Sequence, residues 1–337
     1  MDFSQSHPPQ PGQTAAIAPG ILWLRMPLPF ALDHINLWLI EDGDGWVVVD
    51  TGVPSKETRR LWQDVFAGPM GGRPVTRLLV THFHPDHMGL ASWLSDQFGV
   101  TMETTLAEWL YGRMLSQDAS GSFVATAREF YQRAGFGTEL LDLVVERGNA
   151  YGQRIHDIPA RFHRISEGSC LSIGGRRWRV MMGEGHSPEM ACLWCKDLNI
   201  LISGDQILPS ISPNVSVWPS EPDGNPLRLF LHSLERFRDL PEDCLVLPSH
   251  GRPFIGLRER IDGLTSHHRE RLDETLDACS QPITAVDLQA VMFRRPLDSH
   301  QLFFAIGESI AHLHYLMEER LIVRETGSDG VLRFRRL

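Results

Sequence analysis

No apolar run of about 18 residues or more occurs in this 337-residue chain, which excludes a membrane-spanning helix. The opening segment MDFSQSHPPQPGQTAAIAPG has neither a basic start nor an apolar core, so it does not read as a signal peptide, and the first twenty residues are expected as a loose arm. Lysine is almost missing: Lys56 and Lys196 stand alone, and arginine carries the other basic charges. With a net charge of −10, the chain as a whole advertises no grip on a phosphate backbone. The apolar content suffices for a core, so no disulfide framework is needed, and the cysteines, Cys170, Cys192, Cys195, Cys244 and Cys279, odd in number and sparse, read as reduced thiols in a cytoplasmic protein. There is no G-x-S-x-G segment, so no serine elbow is encoded.

What is present suits a well-packed soluble chain. Hydrophobic residues make up 42% and charged residues 22%, enough apolar material for a large core, and the length accommodates two domains. Short β-rich runs at ILWLRMPLP, INLWLIED and GWVVVDTG open the fold around the turn Glu41–Gly45. A helix is expected over 55–67, a strand over Val75–Thr81, and a helix over 86–98 that Gly99 ends. Residues 105–150 hold three helical stretches between strand-rich regions and read as an insertion and a potential lid. Strands resume over 161–205, a helix follows at 227–239, and CLVLPSHG closes this part. Two strand-rich blocks, each with helices, predict two sheets packed face to face with helices outside. From 263 onward three helices and a terminal hairpin match the winged-helix pattern. The expected division is an arm at 1–20, a main domain at 21–262 and a winged-helix-like domain at 263–337.

The chemistry concentrates in THFHPDHMG, where three histidines and an aspartate fill six positions after the apolar run Leu78–Val80. On an extended strand His82 and His84 share a face. Pro85 stops the strand, Asp86 is expected at a helix N-cap, and His87 falls in the first turn. Imidazole and carboxylate donors suit zinc, and also iron or manganese. Three later residues end β-runs in the same way: His186 in GEGHSP, Asp205 in SGD and His250 in LPSHG.

In this order, VVVDTG, THFHPDH, GHS, SGD and PSHG resemble the metallo-β-lactamase superfamily, in the hydrolase branch that includes glyoxalase II. The resemblance covers roughly 20–262, and the tail is similar to a module attached to a subset of these hydrolases. It implies an α+β fold, an αββα sandwich with a two-metal site on one edge. By that resemblance His82, His84 and His186 would bind one metal, Asp86, His87 and His250 a second, and Asp205 would bridge them. Asp50 would support the histidine loop from behind. The ions are expected as two divalent metals, zinc first and iron or manganese as alternatives. Such a pair, about 3.5–4 Å apart, holds a bridging hydroxide and polarises the attacked group. Asp86 and Asp205 are the expected catalytic carboxylates, with Asp205 orienting the nucleophile. Aspartate rather than cysteine at 205 favours the glyoxalase-, nuclease- and lactonase-like branches over true β-lactamases. One departure is Met190, where relatives commonly place a histidine after G-H-[ST]-x-x.

Other signals read as structural. Cys192 and Cys195 lie in a predicted strand with no second pair, so buried strand cysteines are expected rather than a redox or zinc motif. His267 and His268 read as a solvated helix face, His312 and His314 as helix packing, and His163 as a structural strand residue. His34 and Asn36 begin a strand that could reach the site. Trp218 could wall a pocket or fill a core, and Trp109, Tyr111, Phe130 and Tyr131 could cover a substrate or bury the insertion's own face.

The function expected is a cytoplasmic two-metal hydrolase of a small molecule, an acyl thioester first. A metal-dependent endoribonuclease or phosphodiesterase is the alternative. A non-catalytic binding module is disfavoured because all seven ligand positions are filled. Residues 263–337 carry nine arginines against eleven acidic residues, so nucleic acid is not the favoured partner, and a homo-oligomer contact through this segment is expected instead. No membrane partner is expected.

Overall fold

The computed structural model describes residues 1–3, 7–30, 32–294 and 296–337. In chain order the elements are β1 (Asp2–Phe3), β2 (Thr14–Ala18), β3 (Ile21–Pro27), β4 (His34–Asp42), β5 (Gly45–Val49), α1 (Lys56–Ala67), β6 (Val75–Leu79), α2 (Pro85–Met88), α3 (Ala91–Phe98) and β7 (Met102–Thr104). Helices α4 (Leu106–Gln117), α5 (Gly121–Ala134) and α6 (Thr138–Arg147) form the insertion, followed by a 3-10 turn at Gly152–Arg154. Then come β8 (His163–Arg164), β9 (Cys170–Ile173), β10 (Arg176–Gly183), β11 (Met190–Cys195), β12 (Ile200–Gly204), α7 (Pro226–Phe237), β13 (Leu245–Pro248) and β14 (Phe254–Ile255). Helices α8 (Leu257–Ala278), α9 (Ala285–Met292) and α10 (Ser299–Glu318) and the hairpin β15 (Ile322–Thr326) and β16 (Leu332–Arg336) complete the chain.

One sheet runs β2-β3-β4-β5-β6-β7-β8 and the other β1-β14-β13-β12-β11-β10-β9. Side-chain alternation along the strands assigns each residue to a layer. In β5, Val47 and Val49 face the core between the sheets, where they meet Trp178, Leu193 and Ile202 of the second sheet. Trp46 and Val48 face the other way, onto Trp62 and Leu94 of the outer helices. The second sheet does the same: Met190 and Cys192 turn outward to α7, while Ala191, Leu193 and Cys195 turn inward. The result is the expected αββα sandwich, with Trp23 and Trp38 stacked at 6.2 Å in its middle, a contact worth ~1 kcal/mol beyond burial.

Several expectations change. The arm is not loose among its described residues, because β1 pairs with β14 and β2 with β3; positions 4–6 lie outside the described residues. The helix expected over 86–98 is two helices, broken at Gly89–Leu90. The break lets the chain press against the Asp50–Gly52 loop so closely that a Cβ on Gly89 would lie 2.7 Å from the Gly52 carbonyl. His163 is exposed on the edge strand β8. Helix α8 runs unbroken through position 262, and α8, α9 and α10 bury Leu264, Leu288, Ile306 and Ile310 in the same core as Phe230 and Phe237 of α7. No helix is long and apolar enough to cross a membrane, among the described residues.

His268 does not sit on a solvated face. It is fully buried, with Nε2 3.0 Å from Ser212 Oγ and Nδ1 3.3 Å from His312 Nε2. The cause is helical spacing: His268 lies four residues from both Leu264 and Leu272, on the face α8 turns to the core. His267 beside it is exposed, as expected.

Candidate metal centre

Five chain segments that leave strand ends converge on one edge of the sandwich. The segment after β5 carries Asp50, that after β6 carries His82–His87, and those after β10, β12 and β13 carry His186, Asp205 and His250. Each is a loop anchored at one end in a sheet, which fixes the backbone while freeing the side chain. The seven residues expected as ligands all meet here, in two groups of donors within 4.8 Å of one another: His82, His84, His186 and Asp205, and Asp86, His87 and His250.

Asp205 stands between the groups. Its Oδ2 lies 3.4 Å from His186 Nε2 and 4.0 Å from His82 Nε2, while its Oδ1 lies 3.4 Å from His250 Nε2 and 3.6 Å from His87 Nε2. Asp86 Oδ2 adds a contact of 3.4 Å to His250 Nε2. These separations are too long for hydrogen bonds. They match ligands sharing a tetrahedral ion, since donors at ~2.0–2.1 Å from zinc stand ~3.4 Å apart. His87 Nε2, His186 Nε2 and Asp205 Oδ1 are buried without a hydrogen-bond partner, an arrangement that costs stability unless a cation satisfies them. The residues present therefore fit divalent metal ions.

The imidazoles are aimed from behind. His87 Nδ1 lies 2.8 Å from Asp50 Oδ2, His186 Nδ1 2.7 Å from the Asn214 carbonyl, and His250 Nδ1 2.8 Å from the His34 carbonyl. Each acceptor holds a proton on Nδ1 and presents Nε2 to the centre. His82 Nδ1 faces Thr81 Oγ1 at 3.1 Å, and its Nε2 lies 3.0 Å from Nδ1 of His84. Asp50 adopts φ 64, a conformation an aspartate holds at a cost of about 1 kcal/mol. From there it also accepts the Thr81 amide at 2.8 Å. His34 and Asn36 do reach the site, as supports: the Asn36 side-chain amide donates to the Pro248 and Gly251 carbonyls, and His34 Nε2 accepts from the Gly251 amide.

Asp86 is not the N-cap. Helix α2 begins at Pro85 with His84 at the cap. Proline suits the first helical position, where its missing N–H is no loss, and this makes Asp86 the second helical residue, two positions past the cap, with its carboxylate beside His87 and His250.

Electrostatics split the centre. Burial works against the charge on His250 and His87, yet Asp205 and Asp86, together with Asp50 for His87, hold His250 up to about 10 and His87 well above its ordinary value. Burial and the neighbouring His186 push His84 down to about 3. Against the cost of burial, His87 and His250 hold Asp86 down to about 2. A divalent cation would displace the protons on His87 and His250.

Two residues at the site carry no signal in the sequence. Glu108 of α4 is fully buried and accepts the Phe83 amide at 2.9 Å and the Glu189 amide at 2.6 Å. Burial pushes its carboxyl up to about 7. Tyr151 donates to the Phe83 carbonyl at 2.6 Å. The remaining candidates stay outside the centre. Cys192 and Cys195 sit on opposite faces of β11, one in each core, and cannot share a metal. Trp218 packs edge-on to Phe304 at 5.7 Å. Phe130 and Tyr131 join the core around Phe303, whereas Trp109 and Tyr111 are half-buried, Trp109 stacked on Phe162 and Tyr111 against Phe83. Met190 is fully buried against Gly204.

Residues 31–250 match the sequence profile of the Metallo-beta-lactamase superfamily, and residues 272–337 match that of the Metallo-beta-lactamase-like, C-terminal domain. The crystal structure of a Beta-lactamase domain protein from Burkholderia ambifaria superposes with a TM-score of 0.93 at 44% identity, over 100% of this chain and 98% of that one. The Probable metallo-hydrolase YqjP of Bacillus subtilis (strain 168) is 24% identical over 90% of this chain and 93% of its own length. The human Acyl-coenzyme A thioesterase MBLAC2 is 25% identical over 57% of this chain and 65% of its own length.

Proposed function

This chain belongs to the metallo-beta-lactamase superfamily, and from that premise we propose that it is a two-metal hydrolase acting on an acyl thioester. The observation that carries the reading is the position of Asp205, one oxygen facing each of two ligand groups. His82, His84 and His186 would hold one divalent ion, Asp86, His87 and His250 the other, and Asp205 both. The ions, zinc before iron or manganese, would supply a water nucleophile at neutral pH and polarise the substrate carbonyl.

The protein's own part is to aim and to exclude. His82, His87 and His250 lie inside, whereas His84 and Asp86 are half-buried, so substrate approaches from their side. Asp205 orients the water, and Asp86, the more exposed carboxylate, lies beside it to take part in proton transfer. Attack at the carbonyl carbon forms a C–O bond and breaks the C–S bond, giving a carboxylate and a thiol. The thioesterase relative supports this substrate class. The nuclease reading finds less support, because Arg324, Arg333, Arg335 and Arg336 of the hairpin each pair with an acidic side chain: Asp223, Asp329, Glu325 and Asp277. Five unpaired cysteines, four of them buried, fit the reducing cytoplasm.

The test is thiol release from acyl-CoA and acyl-glutathione by protein loaded separately with zinc, iron and manganese, beside a single-stranded RNA. Thiol release that disappears in His84→Ala is expected. RNA cleavage without thiol release would replace the proposal with the nuclease reading.

A further inference from the structure

We infer that Glu108 is a positioning residue for one of the two ligand groups, a carboxylate clamp by which the inserted helix α4 sets the spacing between two ligand loops. The inference rests on the metal reading above. Phe83, whose amide meets Glu108 Oε2, lies between His82 and His84. Glu189, whose amide meets Oε1, follows His186 by three residues. Those three histidines with Asp205 make one ligand group. A single buried carboxylate thus spans the two loops that must converge for that group to form, and it touches neither loop of the other group beyond the shared His82–His87 segment.

The start of α4 is held in return. Thr105 Oγ1 donates to the Glu189 carbonyl at 2.8 Å, and the Ala107 amide donates to Glu189 Oε2 at 3.1 Å. Tyr151, past the end of the insertion, takes the Phe83 carbonyl at 2.6 Å, so Phe83 is gripped at both backbone polar atoms. A carboxylate is required by donor count. Both partners are N–H groups, so both side-chain atoms must accept, and an amide side chain would set its NH2 against one of them. The backbone link from the Ala191 amide to the Thr81 carbonyl at 2.9 Å also joins the loops, but it does not depend on α4.

The experiment titrates zinc, and in parallel cobalt with its absorption spectrum, into chelator-stripped full-length wild type, Glu108→Gln and Glu108→Asp. Unfolding of the stripped proteins is followed separately. Both variants are expected to weaken one of the two uptake steps ~10–100-fold, the range for lost support behind a ligand, and to leave the other nearly unchanged. Aspartate is expected to follow glutamine, because it keeps the charge but is too short to span both amides. Equal uptake at both steps in either variant overturns the clamp, as does a variant that loses stability when stripped but binds zinc as wild type does. Two variants that both fail to unfold cooperatively would make Glu108 a folding requirement and also overturn it. Absence of any uptake by the wild type would instead overturn the metal reading itself.

Discussion

Nδ1 of His87 lies 2.8 Å from Oδ2 of Asp50, and the other oxygen of the same carboxylate takes the Thr81 amide at 2.8 Å. One side chain therefore fixes both the tautomer of an imidazole and the start of the loop that carries it. Replacing Asp50 with alanine is expected to weaken metal uptake ~10–100-fold, chiefly in the group of Asp86, His87 and His250. Zinc titration of stripped protein, with the bound metal counted by atomic emission, checks this; unchanged uptake would remove Asp50 from the site.

Gly185 precedes His186 at φ 95, and a Cβ there would lie 2.4 Å from the Pro226 carbonyl and 2.5 Å from Phe230 Cβ. Gly185→Ala combines backbone strain with overpacking and is expected to cost about 3 kcal/mol. Urea unfolding of stripped protein gives the value, and a loss below about 1 kcal/mol would show that the loop can yield.

His268 and His312 face each other in the core between α8, α10 and Ser212. Burial holds them down to about 2 and about 4. Below about 6.5 the unfolded chain takes up protons that the folded one refuses, so their stability contribution is complete above that pH and falls away towards pH 4, by at most ~1.4 kcal/mol per pH unit for each. Glu308, which burial raises to about 7, acts in the opposite direction over part of this range. Denaturation midpoints of wild type and of His268→Leu/His312→Leu between pH 7 and 4 separate the terms. The wild-type curve is expected to fall more steeply, and parallel curves would refute the assignment.

Cys170 is exposed, and the other four cysteines are buried. Burial also raises the Cys244 thiol to about 12 and the Cys279 thiol to about 11. A thiol reagent added to native protein is expected to label one of the five, at Cys170, and all five after denaturation. Rapid native labelling of Cys192 or Cys195 would contradict their packing in the two cores.

The ligands were legible because their signal is local. His82, His84, Asp86 and His87 are separated by one or two positions, and His186, Asp205 and His250 each follow an apolar strand run. The strands were legible for the same reason, since a period of two repeats within a few residues. Even the misread elements had local cues: Pro85 marks the first turn of α2, and the four-residue spacing of Leu264, His268 and Leu272 marks a buried face.

Glu108 had no such cue. It is one acid in the helix LAEWLYGRMLSQ, and its partners lie 25 and 81 residues away. Asn214 meets His186 through a backbone carbonyl, which any residue type could supply. Sequence alone determined which donors the chain carries, the two-sheet architecture and the chemistry those donors permit, because residue type and short-range periodicity fix these. Only the tertiary structure brought those donors within contact of one another, with Asp205 facing both of the groups that the resemblance implies, and bolted the insertion's first helix to the ligand loops. Those are distances between segments remote in the chain, and packing sets them rather than pattern.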